Sequence, residues 1–215
     1  MKLNTKTDET ISNCVYPYWH PSEDYIAFSV NNIQQVFHSV KDKRIEVFDS
    51  KSDIVVFEIR NNRLVSTSRL MREDSFETFP CFSPDGRKLF FCSASAGIQP
   101  DDYDRIKYSL CSIDFDPATG RFGSLIDTLV SADRTGKSVS FPRISPDGTT
   151  LVFTLSDYGN FSIWHREADL YRIDMKTGIY QPIDVINSPE TESYHSWSSN
   201  SRWMIFSSRR IDGLY

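Results

Sequence analysis

The chain has 215 residues, 39% of them hydrophobic and 13% aromatic, with a formal net charge of −5 and a pI near 5.4. That acidity argues against a nucleic-acid partner, because neutralising phosphates takes clustered Lys and Arg, and Arg209-Arg210 is the only adjacent arginine pair. No apolar run approaches the roughly 18 residues that cross a bilayer, so no membrane insertion is expected, and Met1-Lys2-Leu3-Asn4-Thr5 opens without the apolar stretch of a signal peptide.

Residues 1–15 read as a polar N-terminal extension. A hairpin follows from Tyr16 to Phe28, turning at His20-Pro21-Ser22-Glu23-Asp24. From 31 to 52 the chain makes a long excursion, in which Arg44-Ile45-Glu46-Val47-Phe48 alternates and predicts an extra ribbon. A third strand is predicted over 53–59, a turn at Asn61-Asn62, and a fourth strand over 63–66. The second unit repeats the plan from Phe79, around Ser83-Pro84-Asp85-Gly86, with later strands over 108–115 and 121–125. The third begins at Phe141, turns at Ser145-Pro146-Asp147-Gly148, and continues with strands over 169–174 and 179–183. The fourth shows only a hairpin, Tyr194 to Phe206 around Ser198-Ser199-Asn200-Ser201, before Asp212-Gly213-Leu214-Tyr215, which matches the opening of a third strand. In these turns Pro presets the first corner, Asp caps the backbone, and Gly takes the positive φ that other residues resist. Phe82, Phe90, Ile144, Leu151, Phe153, Trp197 and Phe206 are the expected core.

The leading aromatics fall at 16, 79, 141 and 194, in steps of 63, 62 and 53 residues. Propeller blades run about 40–50 residues, so each unit is a four-stranded blade with one enlarged loop. The pattern Phe/Tyr-Pro-x-aromatic-Ser-Pro-Asp-Gly-x-x-Leu-x-Phe resembles the TolB-like family of WD-like β-propeller repeats. It is strong in the second and third copies; the first lacks the glycine and the fourth lacks both Pro and Gly. The resemblance implies an all-β propeller of antiparallel four-stranded blades, here about three and a half over 16–66, 79–130, 141–186 and 194–215, belonging to a six-bladed ring. The chain would then end inside a blade as an open arc, prone to self-association through its unpaired edges. The resemblance also implies a non-enzymatic scaffold that binds a protein or peptide in the bacterial periplasm or cell envelope. Two alternatives are a propeller gating a peptidase or hydrolase domain outside this chain, and a polyuronate-lyase-like propeller.

In such a fold the connections between strands two and three, and between blades, open on one face. Here those are the long ones, so the working surface is expected there. Asp157, Tyr158, Phe161, Trp164 and His165 put three aromatics and a histidine into one such loop. They either bind a partner, as exposed aromatics do at hot spots, or fold back as a minor core. His195, beside the channel on a first strand, Arg143 and Glu192 complete the candidate binding set. Glu73, Asp74, Glu77, Asp101, Asp102, Asp104, Glu190 and Glu192 read as an acidic rim suited to a basic segment. Arg134-Thr135-Gly136-Lys137-Ser138 ends like a phosphate-binding loop, but Ser131 stands where its first glycine belongs, so nucleotide binding is not expected. No catalytic residue, metal or cofactor is expected: no nucleophile elbow occurs, and His20, His38, His165 and His195 are not paired at ligand spacing. Cys14, Cys81, Cys92 and Cys111 lack C-x-x-C spacing and read as buried thiols or a disulfide.

Overall fold

In a computed structural model the chain is nearly all β, and the structure describes residues 13–35, 47–97 and 102–211. The first blade comprises β1 (Cys14–Trp19), β2 (Tyr25–Gln35), β3 (Val47–Glu58) and β4 (Arg63–Val65). The second comprises β5 (Ser75–Phe82), β6 (Lys88–Ser95), β7 (Ser109–Asp116) and β8 (Arg121–Val130). The third comprises β9 (Ser138–Ile144), β10 (Thr150–Ser156), β11 (Asp169–Asp174) and β12 (Tyr180–Pro182). A two-stranded sheet of β13 (Glu192–Trp197) and β14 (Met204–Ser208) ends the described chain. Each sheet is an antiparallel meander in sequence order, which is how a propeller blade is built. The N-terminal extension before residue 13 and the strand opening expected at 212–215 lie outside the described residues.

The four strand-one turns share one bonding scheme. In the second and third copies Ser83 and Ser145 donate to Asp85 and Asp147 at 2.6 Å, and Gly86 and Gly148 take φ near +71° and +73°. Each serine hydroxyl also accepts from the backbone five residues on, at 2.9 Å from Lys88 and 3.0 Å from Thr150. The degenerate copies keep the scheme. Ser198 bonds Asn200 at 2.8 Å and accepts from Trp203 at 3.0 Å, while Ser201 takes φ +58° in glycine's place. In the first copy His20 stands for the serine and Glu23 carries φ +62°. The turn survives losing its glycine because its side-chain bonds hold it, at the cost of an unfavourable dihedral.

Blade faces are apolar on both sides, so β6 reads as a continuous run rather than an alternating one. Leu89 and Phe91 pack with Ala27, Ile54 and Val56 of the first blade. Phe90 and Cys92 pack with Leu151, Phe153 and Leu155 of the third. Phe82, Phe90, Ile144, Leu151 and Phe153 are buried as expected, but Trp197 and Phe206 are only half-buried. They lie in the two-stranded sheet, which has a packed neighbour on one side. Cys81, Cys92 and Cys111 are buried free thiols.

Three further differences matter for the site. β2 and β3 run past the blade and stay paired as far as Gln35 and Val47, so the predicted ribbon is the continuation of these two strands. A short helix, α1 (Ala132–Thr135), interrupts the connection from β8 to β9; Ser131 caps it and Gly136 ends it in the left-handed region. Glu77 and Glu192 are strand residues with almost no exposure, not members of a solvated rim.

Candidate functional site

The first strands converge, and each carries a bulge at the same register. At three of these bulges the leading aromatic adopts positive φ: Tyr16 at 51°, Phe79 at 54° and Phe141 at 51°. Aromatic residues seldom occupy that region, and a cost of about 1–3 kcal/mol each persists only where surrounding structure enforces it. What enforces it here is packing at the axis. Phe79 lies 4.6 Å from Tyr16 and 4.3 Å from Phe141 by ring centroids, and Tyr194 meets Phe141 edge-on at 5.6 Å. The first strands of three blades and of the two-stranded sheet thus meet in one aromatic plug.

A layer of hydroxyls lies over the plug. Ser29 bonds both Thr78 and the backbone N–H of Phe79, and Ser140, Ser162 and Ser193 form a chain at 2.9 and 3.0 Å. Above it the β2–β3 ribbon, the β6–β7 connection and the 157–168 loop meet around one carboxylate. Asp49 Oδ2 accepts from Asn31 Nδ2 at 2.7 Å and from Asn160 Nδ2 at 2.5 Å. Its Oδ1 has no partner among the described residues, although the residue is only 2% exposed. Burial pushes its carboxyl up to about 7, against the pull of the two amides. A cavity of about 20 Å³ opens beside it, room for one water-sized group, walled by Phe48, Tyr103, Tyr108, Phe161 and Trp164.

The 157–165 loop divides its candidates between two tasks. Tyr158 and His165 fold back: their rings meet edge-on at 4.4 Å, and His165 Nδ1 lies 3.1 Å from Glu167. Burial alone would raise Glu167, but its bonds with His165 and the Asp157 backbone outweigh that and hold it at about 2. Asp157 pairs with Lys137, tying the loop to the start of β9. Phe161 and Trp164 stand at the cavity mouth, Trp164 with 52% of its surface exposed on a 3₁₀ turn, Ser162–Trp164.

The remaining candidates lie elsewhere. His195 is buried between the third and fourth sheets, bonded at 3.0 Å to the Val152 carbonyl, and burial pushes it down to about 3. Arg143 is near the short-turn end of β9, its guanidinium 5.4 Å over the Tyr18 ring. Glu192 is wholly buried at the start of β13, where Arg210 at 3.0 Å and the hydroxyls of Ser188 and Ser208 satisfy it. Sequence reasoning missed Asp49, Asn31 and Asn160. The available signal was an acidic residue directly after an alternating apolar run, Val47-Phe48-Asp49, where a solvated loop was not the only reading.

The blades and their plugged axis define a β-propeller, and comparison with solved structures agrees. The fold is similar to that of a protein assigned as TolB from Agrobacterium tumefaciens, at 18% identity and TM-score 0.50, over 93% of this chain and 71% of that one. It is also similar to a prolyl endopeptidase, at 14% identity and TM-score 0.56, over 92% of this chain but only 25% of the other. An oligogalacturonate lyase solved with manganese aligns at 16% identity and TM-score 0.49, over 94% of this chain and 46% of that one. No protein-family model and no curated protein matches the sequence. Among the described residues no helix is long and apolar enough to cross a membrane, and no three His, Cys, Asp or Glu side chains gather as a metal site.

Proposed function

We propose that this chain is a non-enzymatic propeller scaffold that binds a protein or peptide partner on its long-loop face, in the bacterial cell envelope. One observation carries the reading. Three separate long connections converge over the axis and hold half-exposed aromatics, Phe161 and Trp164, around a buried carboxylate. Rigid blades that present aromatics on loops are suited to anchoring a partner, since such side chains supply contact area at small entropic cost. The likeness to a TolB protein supports the scaffold, and the envelope location is proposed with it.

The test is an affinity capture from envelope extract, comparing the wild type with a Phe161→Ala/Trp164→Ala variant. A partner retained by the wild type and lost with the variant supports the reading. Equal retention by both moves the interface off this face.

A further inference from the structure

Resting on that partner-binding reading, we propose that the cavity beside Asp49 takes a protonated primary amine of the partner, a lysine side chain or a chain N-terminus. The argument begins with what the site lacks. Asp49 is buried with one oxygen saturated by two amides and the other without a donor among the described residues. Asn31, bonded to the same carboxylate, leaves its own Oδ1 unpartnered as well. Asp49 lines the cavity and Asn31 does not, so it is the Asp49 oxygen that marks a missing N–H or O–H group there, a buried acceptor left alone being costly.

Charge and size narrow the class. Among the described residues no Lys or Arg lines the cavity, and the one lining histidine, His165, is turned to Glu167 at 3.1 Å. A single carboxylate matches a single positive charge, and the described residues offer no cluster of ligands for a divalent metal. Five of the lining side chains are aromatic, an environment suited to a cation. About 20 Å³ holds one water-sized group, the size of an ammonium head. Trp164 at the mouth leaves the attached alkyl chain an apolar path outward, as amphipathic side chains prefer.

The experiment is calorimetric titration of the full chain at pH 8 with four probes at matched ionic strength. These are n-butylammonium chloride, Nα-acetyl-lysine methylamide, its Nε-acetylated analogue and glycine methylamide, with sodium, potassium and calcium chlorides as controls. Saturable binding of butylammonium, at least tenfold weakened by Asp49→Asn and absent for the Nε-acetylated analogue, is the expected result. Stronger binding of acetyl-lysine methylamide assigns the lysine source, and stronger binding of glycine methylamide assigns the N-terminus. Equal binding of the acetylated and free amines in the wild type overturns the proposal without recourse to any variant. So does an equal response to the metal chlorides. Where a captured partner binds Asp49→Asn as tightly as the wild type, the amine site is wrong while the partner surface stands. Loss of capture on Phe161→Ala/Trp164→Ala is the separate criterion for the surface itself.

Discussion

Replacing Asp49 with Asn should stabilise the protein at alkaline pH and do almost nothing at acid pH. The native carboxyl titrates near 7 and the unfolded one near 3.8. A raised native pKa means the folded chain holds the extra proton across that window. Stability from this group is therefore full below about 4 and is lost as pH rises through about 7. The shift corresponds to about 4 kcal/mol at ~1.4 kcal/mol per unit, nearly undiscounted because the group is buried. For a chain of this length that is on the order of 10 °C in melting temperature. The wild-type profile alone does not isolate this effect. His195, pushed down to about 3, acts with the opposite sign and costs stability as pH falls below about 6.5. Both variants share His195, so the difference between them isolates Asp49. Urea unfolding of wild type and Asp49→Asn from pH 3.5 to 8.5 should show a gap of about 4 kcal/mol at pH 8 that falls below half by pH 5 and closes only below about pH 4. A gap that does not vary with pH would refute the assignment of Asp49 as a buried, uncompensated carboxylate.

Gly86→Ala should destabilise severely, because a Cβ there would enter the His20 ring, whose Nε2 bonds the Gly86 carbonyl at 2.9 Å. Gly178→Ala has a similar φ of +71° with open space around it, and should lose only the left-handed penalty of about 1–2 kcal/mol; equal losses in denaturant would argue against the His20 lock. Ser201→Gly should change stability by less than about 1 kcal/mol, because relieving φ +58° in the fourth turn is offset by losing the bond its hydroxyl accepts from the Asp147 N–H at 3.0 Å, and a larger loss in urea unfolding would mean that bond dominates the turn. Phe153→Ala, at the centre of the interface between the second and third blades, should cost about 3–5 kcal/mol, and a melt close to the parent's would sink the core assignment.

The blades were legible because their turns are written in residue chemistry: Ser-Pro-Asp-Gly at 83–86 and 145–148 leaves the backbone few choices. The weaker copies were legible only by register with these, since Glu23 and Ser201 resist the dihedral they adopt. The bulges at Tyr16, Phe79 and Phe141 were hidden, because an aromatic before proline in an apolar run reads as ordinary strand. Their positive φ arises from packing across three blades, which no local pattern encodes. The 157–165 loop stood out because aromatics in a loop are costly unless used, and the structure gives that cost two answers, with Tyr158 folded inward and Trp164 outward. Asp49 stayed invisible for the opposite reason. An acidic residue in a ribbon looks solvated until Asn160, 111 positions away, closes over it. Glu77 and Glu192 misled in the same way: each is buried in its strand with its carboxylate bonded to nearby hydroxyls, Ser75 and Ser93 for the one, Ser188 and Ser208 for the other.

The account's central claim, a partner seated over the axis on the long-loop face, is tested most directly by site-specific photocrosslinking. A photoreactive phenylalanine analogue would replace Trp164 in one variant and Leu125, 76% exposed on the outer strand β8, in another. Irradiation in the envelope fraction should give a discrete adduct from position 164 and none from 125. An adduct from 125 alone, or the same adducts from both, would contradict the claim.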